Sequence, residues 1–240
     1  MITNKINANL VLNEPEGGIR FGTDALLLAD FALGSIKKGT CIDLGTGSGV
    51  LPLLLLGAGS KASFVGLEVQ KEYAEVAAQN AANNNFQGRF SVINRNAEDF
   101  KETFESGRAD FVITNPPYMR SDCGFNNQNG ALDIARREIL GGASLFCKAA
   151  GWALKSGGSF FAVYRPDRLV NLFCAMRDAS IEPKRLRAVV AHSGATPSLV
   201  LVEGRKDGKE GLTYESNLYL YKDTTHTDQT DEIKSIYEKF

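Results

Sequence analysis

The sequence has few of the residues that build metal centres and disulfide frameworks. Only four cysteines and two histidines occur in 240 residues, and no two cysteines form a CxxC pair. A structural zinc site needs four closely spaced Cys or His ligands, so the composition indicates neither a zinc site nor a disulfide framework. We expect reduced thiols and no bound metal.

Long apolar runs and an excess of basic charge are also lacking. Residues 1–10 have no apolar core flanked by basic residues, so no secretory signal is predicted. The most apolar stretch, 50–56, is far shorter than the roughly 20 residues of a membrane helix. A net charge of −1 argues against binding of a long nucleic acid through many phosphate contacts, although it allows a short RNA loop to be bound by a local patch. We expect a soluble cytoplasmic protein, a monomer or weak dimer without membrane contact.

From Thr40 onwards, short apolar runs alternate with helical patterns, which predicts an α/β fold with a doubly wound, seven-stranded, mostly parallel sheet. Residues 1–39 are expected to be an N-terminal extension with a helix before the sheet, and 40–240 the main part of a single structural domain. A ligand should lie beyond the carboxyl ends of the strands, where strand order reverses. The predicted strands are 40–44, 63–67, 90–93, 109–114, 159–164, 187–191 and 198–203, and the predicted helices include 50–56, one from Val69 to about Asn83, 136–154 closed by Gly157-Gly158, and 169–179.

The first predicted strand runs into the segment Asp43-Leu-Gly-Thr-Gly-Ser-Gly49. Glycines at such a turn let the backbone take conformations that side chains forbid and let a ligand come close. The GxGxG pattern alone is a weak signal, because dinucleotide-binding folds have a similar loop. The acidic residue before the glycines and the early third glycine favour an amino-acid-like ligand, and Asp43 could orient waters or the amino group of that ligand. The candidate ligand-binding residues here are Asp43, Gly45, Thr46, Gly47, Ser48 and Gly49.

Two later strand ends carry further candidates for a nucleoside. Glu68 ends the second predicted strand, where a carboxylate would accept both ribose hydroxyls of an adenosine-containing cofactor, with Val69 beside it. Nicotinamide enzymes have an acid at the same place, so Glu68 indicates adenosine and not a reaction. After the third strand, the Asn96 side chain and the Ala97 backbone N–H are predicted to read the adenine edge, and Asp99 is the alternative to Asn96.

Asn115-Pro-Pro-Tyr118 follows the fourth predicted strand. An exocyclic amino nitrogen is a poor nucleophile because its lone pair is delocalised. Two acceptors, the Asn115 side-chain oxygen and the Pro116 carbonyl, can bind its two hydrogens and favour a pyramidal nitrogen. Pro116 and Pro117 stiffen the turn, and Tyr118 offers a face for stacking a planar acceptor, worth about 1–3 kcal/mol in other base-binding proteins. These four residues are the predicted catalytic set, and positioning is their main contribution.

Segments 43–49 and 115–118 together resemble the class I amino-methyltransferases. Three flanking segments are similar to the bacterial tRNA1(Val) adenine N6-methyltransferases, so the resemblance extends from about Leu12 to Tyr237. The flanking segments are Phe21-Gly-Thr-Asp24-Ala-Leu-Leu-Leu-Ala29, Ala135-Arg-Arg-Glu138 and 214–221.

The resemblance implies a Rossmann-like fold, S-adenosyl-L-methionine as the cofactor, and N6 of the adenine just 3′ of a valine tRNA anticodon as the acceptor. It also implies that Phe21, Thr23 and Asp24 belong to a helix over the methionine end of the cofactor, with simple helix capping as the alternative. RNA contacts are expected from Arg136, Arg137 and Glu138, unless these form a solvated first turn of a helix.

Other functions remain open on the residues alone. Protein glutamine N5-methyltransferases also bind a planar amide at such a motif, but they usually carry a helical N-terminal domain, for which about 40 residues before the first strand are too few. Ribosomal RNA guanine N2-methyltransferases tend to be longer. The basic run Lys184-Arg185-Leu-Arg187 could hold RNA phosphates or be a solvated charge run.

Overall fold

The computed structural model describes residues 1–7, 10–16, 22–116 and 143–240. The strands are β1 (Ile2–Lys5), β2 (Val11–Glu14), β3 (Thr40–Leu44), β4 (Ser63–Glu68), β5 (Phe90–Asn94), β6 (Ala109–Thr114), β7 (Leu154–Tyr164), β8 (Ile181–Val190), β9 (Pro197–Lys206), β10 (Thr213–Tyr214) and β11 (Leu218–Tyr219). The helices are α1 (Thr23–Leu33), α2 (Val50–Gly57), α3 (Lys71–Asn83), α4 (Phe100–Thr103), α5 (143–153), α6 (Leu169–Asp178) and α7 (Asp231–Lys239).

The main sheet has the order β10-β8-β9-β7-β6-β3-β4-β5, with β11 beside β8. Every neighbouring pair is parallel except those of β9, which runs antiparallel between β7 and β8. The order reverses between β3 and β6, which are hydrogen-bonded neighbours. The predicted doubly wound, mostly parallel α/β fold is therefore confirmed, and the reversal lies where a ligand is expected.

Two apolar layers cover the two faces of the sheet. Side chains of successive strand residues point to opposite faces, so Phe161 packs with α1, α2, α3 and α7, whereas Phe160 packs with α5 and α6. Strands buried on both faces read as continuous apolar runs, which explains why β3 and β6 begin and end at the predicted residues.

The start of β7 corrects the sequence prediction. Leu154 was expected to end a helix, with Gly157-Gly158 as its stop, but Leu154 begins β7 and pairs with Ala109 of β6. The pairing is interrupted between Ala109 and Phe111. Gly157 has φ +78°, and a Cβ on Gly158 would lie 3.0 Å from the Asp110 carbonyl oxygen. The two glycines therefore form an irregularity within the strand and do not stop a helix.

The structure also contains elements that the sequence did not predict. The antiparallel hairpin β1–β2, the short strands β10 and β11, and helix α7 are additions, and the last two strands raise the main sheet from seven to nine. None of the helices in the described ranges is long and apolar enough to cross a membrane. Within the same ranges, no three His, Cys, Asp or Glu side chains cluster as metal ligands would.

Candidate active site

The candidate site lies where β3 and β6 end side by side. Asp43 pairs in register with Ile113, so the glycine loop after β3 and Asn115 after β6 emerge from neighbouring strands. Neighbouring strands are about 5 Å apart. The buried Thr114 hydroxyl donates a hydrogen bond of 2.8 Å to the Leu44 carbonyl and ties the two strand ends together. The predicted cofactor end and the predicted reactive end are thus adjacent.

The loop needs its glycines for two different reasons. Gly45, Gly47 and Gly49 have φ of +71°, +55° and +84°, a region that side chains disfavour. At Gly49 a Cβ would also lie 2.7 Å from a ring atom of Phe90 in β5, so the absence of a side chain lets the end of the loop pack closely against this ring. At Gly47, apart from its two chain neighbours, no heavy atom of the described residues lies within 4 Å of the added Cβ. Among these residues, the space over Gly47 could therefore take a ligand.

The two carboxylate oxygens of Asp43 differ in their hydrogen bonds to the described residues. The side chain is 1% exposed, and its Oδ2 accepts a hydrogen bond of 2.6 Å from the Thr46 hydroxyl. Oδ1 is buried and has no hydrogen-bond partner among the described residues. Burial raises the pKa of Asp43 to about 7, the nearby Glu68 adds to this, and the Thr46 hydrogen bond opposes it. A buried unpaired acceptor is costly, so this oxygen is suited to a donor from a ligand.

Glu68 is buried but hydrogen-bonded to the backbone. Its Oε2 accepts from the Gly47 N–H and its Oε1 from the Gln70 N–H, both at 2.9 Å. Burial raises the pKa of Glu68, while these hydrogen bonds lower it. Each carboxylate oxygen has a second lone pair, so both can still accept a ribose hydroxyl. The acid therefore links the glycine loop to the end of β4 and retains capacity for a nucleoside.

These features fit S-adenosylmethionine. Its amino group can donate to Oδ1 of Asp43, its carboxylate can approach the backbone over Gly47, and its ribose hydroxyls can reach Glu68. The backbone of Gly45 and Thr46 is already held, because both N–H groups donate to the Leu67 carbonyl at 2.9 and 3.0 Å. A preformed loop of this kind lowers the ordering cost of binding.

The adenine-reading residues stay a prediction. Asn96 caps a short 3₁₀ turn, because its Oδ1 accepts from the Glu98 N–H at 3.0 Å. Ala97 is buried at the start of that turn, and Asp99 ends it with an exposed side chain. The Val69 carbonyl accepts a hydrogen bond from the Asn94 side chain at 3.0 Å. The cofactor contact of Val69 also stays a prediction.

Asn115 and Pro116 form the described part of the reactive end. Pro116 is buried, and Asn115 is half-buried with its Nδ2 donating to Oδ2 of Asp24 at 3.2 Å. Thr23, at the start of α1, is exposed, and its hydroxyl lies 3.2 Å from that of Tyr237. The remaining predicted residues of this region, Phe21, Pro117, Tyr118, Arg136, Arg137 and Glu138, lie outside the described residues.

Asn80 supports the loop and was not predicted as a site residue. It is fully buried, and its Nδ2 donates to the Ser48 carbonyl at 2.8 Å and to the Asn13 carbonyl at 2.9 Å. Its position gave a usable signal, because Asn80 falls on the apolar face of α3 together with Val76 and Ala77. A polar residue on a buried helix face needs partners, and here the partners hold the glycine loop and β2.

The basic run on β8 has a structural function. Arg185 pairs with Glu203 at 2.8 Å and Glu215 at 3.2 Å, and it donates to the Phe31 carbonyl at 2.9 Å. Arg187 pairs with Glu232 at 2.7 Å and has a side chain that is only 14% exposed. These two arginines are therefore not a solvated charge run, whereas an RNA contact by the run stays untested. They fasten β8 to the elements around it.

The strand order, the glycine loop and the two buried carboxylates define a Rossmann-like class I methyltransferase. Solved structures share this fold. A predicted O-methyltransferase from Agrobacterium tumefaciens has a TM-score of 0.73 at 20% identity, over 90% of this chain and 96% of that chain. Geranyl diphosphate C-methyltransferase from Streptomyces coelicolor A3(2), solved with S-adenosyl-L-homocysteine, has a TM-score of 0.52 at 12% identity, over 75% of each chain.

A family model described as the methyltransferase small domain matches residues 16–172. The chain belongs to this family, and S-adenosylmethionine is its cofactor. The predicted resemblance to tRNA1(Val) adenine N6-methyltransferases is also confirmed. The protein of that name from Porphyromonas gingivalis (strain ATCC 33277) is 28% identical over 193 residues, which is 78% of this chain and 74% of the relative. The one from Escherichia coli O157:H7 is 29% identical over 181 residues, 74% of this chain and 71% of the relative.

A second kind of relative matches over a shorter region. Release factor glutamine methyltransferase from Agrobacterium fabrum is 39% identical over 108 residues. The matched region covers 41% of this chain and 35% of that relative, so the chain spans about a third of its length. Methyl transfer is common to both kinds of relative, whereas their acceptors differ.

Proposed function

We propose that this protein transfers a methyl group from S-adenosylmethionine to N6 of an adenine in a tRNA anticodon loop, as in tRNA1(Val). The observation that carries the proposal is the place of Asn115 and Pro116 at the end of β6, next to the cofactor loop of β3. Two relatives that cover most of the chain are named for this reaction. We also propose that the protein acts in the cytoplasm, where tRNA is modified, and as a monomer or weak dimer.

The residues of the site would act by position and polarity. The cofactor supplies a methyl group made electrophilic by its sulfonium sulfur. Oδ1 of Asn115 and the carbonyl of Pro116 accept the two hydrogens of the acceptor's amino group, which turns the nitrogen lone pair towards the methyl group. The nitrogen becomes acidic once it is methylated, so its surplus proton can pass to water without a strong base. Precise orientation of the reacting atoms is worth several kcal/mol in such reactions.

Residues other than Asn115 and Pro116 must select the acceptor base. Adenine, guanine and the glutamine side chain all carry a planar amino group, and Asn115 with Pro116 could bind each of them. Tyr118 is expected to stack on a base, and Arg136, Arg137 and Glu138 are expected to contact the RNA around it. An anticodon-loop base is already partly unpaired, which avoids most of the few kcal/mol needed to extract a base from a duplex.

Glutamine N5 of a protein is the second candidate, because the 39% identity to the release factor enzyme exceeds the identity to the tRNA enzymes. That identity extends over 108 residues, whereas the tRNA enzymes match over 193 and 181 residues. The longer match includes regions that could recognise the acceptor. We therefore favour adenine over glutamine.

A direct test supplies labelled S-adenosylmethionine and three acceptors in parallel. These are tRNA and ribosomal RNA from a strain without the gene, and a release factor lacking its glutamine methylation. We expect label in N6-methyladenosine, mapped to the anticodon loop of a valine tRNA, and none with Asn115→Ala. Label in N2-methylguanosine or in glutamine would show that the acceptor is wrong, although the cofactor site would stand.

A further inference from the structure

The hydrogen bond between Asn115 and Asp24 joins the reactive turn to helix α1. Asp24 lies in the first turn of α1, and its Oδ2 accepts from Nδ2 of Asn115 at 3.2 Å. An ionised carboxylate only accepts hydrogen bonds, so this contact requires the NH₂ end of the Asn115 amide to face α1. The oxygen end then points to the other side of the amide.

We propose that Asp24 is a positioning residue, which fixes the amide of Asn115 so that Oδ1 faces the amino group of the acceptor. This inference rests on the proposed role of Asn115 in the reaction. It gives Asp24 a different function from the cofactor contact expected from the sequence. Asp24 acts through Asn115 and touches neither the methyl group nor the acceptor.

Such a device is needed because an asparagine amide is nearly symmetric in shape. A rotation of 180° about its last side-chain bond exchanges NH₂ and oxygen with little change in packing. The flipped amide would point two donors at an amino group that also donates. The acceptor nitrogen would then lose one of the two acceptors that orient its lone pair, and the loss would fall on the transition state.

Asp24 is itself well fixed. Its Oδ1 accepts from the Ala25 N–H at 2.9 Å, which orients the carboxylate at the start of the helix. A Cβ on Gly22 would lie 2.8 Å from this oxygen, so a residue without a side chain leaves room for the carboxylate. The Asp24 carboxylate therefore has a fixed orientation and can orient the Asn115 amide.

The test uses Asp24→Asn, which keeps the shape but can also donate, with Asp30→Asn on the same helix as the control. We expect Asp24→Asn to lower the single-turnover rate of methyl transfer at least 30-fold, with the dissociation constant for S-adenosylhomocysteine within threefold of the wild type. In an Asn115→Ala background, Asp24→Asn should have no further effect on the rate. Asp30→Asn should leave the rate within threefold.

A second measurement does not depend on any acceptor. In protein labelled with ¹⁵N-asparagine, the side-chain NH₂ signal of Asn115 is identified by its loss in Asn115→Ala. We expect Asp24→Asn and Asp24→Ala to shift this signal, and Asp30→Asn to leave it unchanged. An unshifted signal would overturn the inference, and so would cofactor binding that weakens as much as the rate falls. If no acceptor is methylated by the wild type, the proposed function fails, while the spectrum still tests the link between the two residues.

Discussion

The Thr46 hydroxyl donates a 2.6 Å hydrogen bond to Oδ2 of Asp43 and leaves Oδ1 of the same carboxylate without a partner among the described residues. The cofactor site therefore contains an acidic group that is neutral or charged near pH 7 according to small changes around it. Binding of a donor at Oδ1 stabilises the charged form. Proton uptake, folding and cofactor binding should consequently be coupled at Asp43.

The first prediction concerns the pH dependence of stability. Burial raises the pKa of Asp43 to about 7 in the folded protein, so the folded state keeps a proton that the unfolded chain releases near pH 4. The stabilisation from this proton is complete below about pH 4 and is lost as the pH rises to about 7, by up to roughly 1.4 kcal/mol per pH unit. Urea unfolding from pH 4.5 to 8.5 should show this loss in the cofactor-free wild type relative to Asp43→Asn.

Thr46→Val is the matched control for this effect. It removes the hydrogen bond that lowers the pKa of Asp43, so the pH range over which stability is lost should extend upwards. A difference between wild type and Asp43→Asn that does not vary with pH would contradict the prediction.

Substitutions at two glycines of the loop should differ in their effects on stability and on cofactor affinity. Gly47→Ala places a Cβ in open space at φ +55°, so we expect a loss of about 1–2 kcal/mol in stability but a cofactor affinity at least tenfold weaker. Gly49→Ala adds a clash with Phe90 and should destabilise the protein more. Thermal unfolding and calorimetry with S-adenosylhomocysteine measure the two effects. Equal affinity in Gly47→Ala and wild type would remove the space over Gly47 from the cofactor site.

Asn80 and Asn84 are a second matched pair of residues for comparing effects on stability and on cofactor affinity. Both fasten β2 to α3, because Asn80 bonds the backbone of Asn13 and Asn84 bonds that of Val11 at 2.7 to 2.9 Å. Asn80 additionally donates to the Ser48 carbonyl in the glycine loop. Replacement of either by alanine leaves partly buried backbone groups of β2 unpaired, which should cost about 1–3 kcal/mol each. Only Asn80→Ala should also weaken cofactor binding, by about tenfold. If Asn84→Ala weakened cofactor binding more than Asn80→Ala, Asn80 would not support the glycine loop as proposed.

The sequence could predict those parts of the molecule that depend on local patterns. Strands β3 and β6 are short, mostly apolar runs between turn signals, and both match their predicted bounds. The glycine loop and Glu68 follow from residue spacing after these strands. The start of β7 could not be read locally, because the pairing of Leu154 with Ala109 decides it and Gly157-Gly158 resembles a helix stop.

The features that the sequence did not predict depend on contacts between segments far apart in the chain. The hairpin β1–β2 consists of two four-residue strands, and side chains of α3 hold it at a separation of about 70 residues. Asp24 and Asn115 are 91 residues apart, so no spacing rule links them. Arg185 reads as part of a basic surface run, yet its partners come from three separate segments. Single-sequence patterns carry no information about such partners.

The last prediction separates RNA binding from the structural function of the basic residues on β8. A chain with net charge −1 offers few phosphate contacts, and each neutralised phosphate adds about 0.7–0.9 to the log–log salt slope. We therefore expect a slope of about two to four for tRNA binding. Arg185→Gln, which removes the positive charge, should leave this slope unchanged, because the guanidinium is engaged by Glu203, Glu215 and the Phe31 carbonyl. A glutamine cannot form these three contacts together, so the same variant should lose roughly 2–3 kcal/mol of stability. Lys38→Ala, at an exposed residue before β3 and far from the carboxyl ends of the strands, should change neither quantity. Titrations of a valine tRNA at several salt concentrations, with urea unfolding of each variant, measure both. A slope near ten would mean that the protein has an extended basic surface for RNA. A fall of about one unit in Arg185→Gln without loss of stability would mean that Arg185 binds RNA.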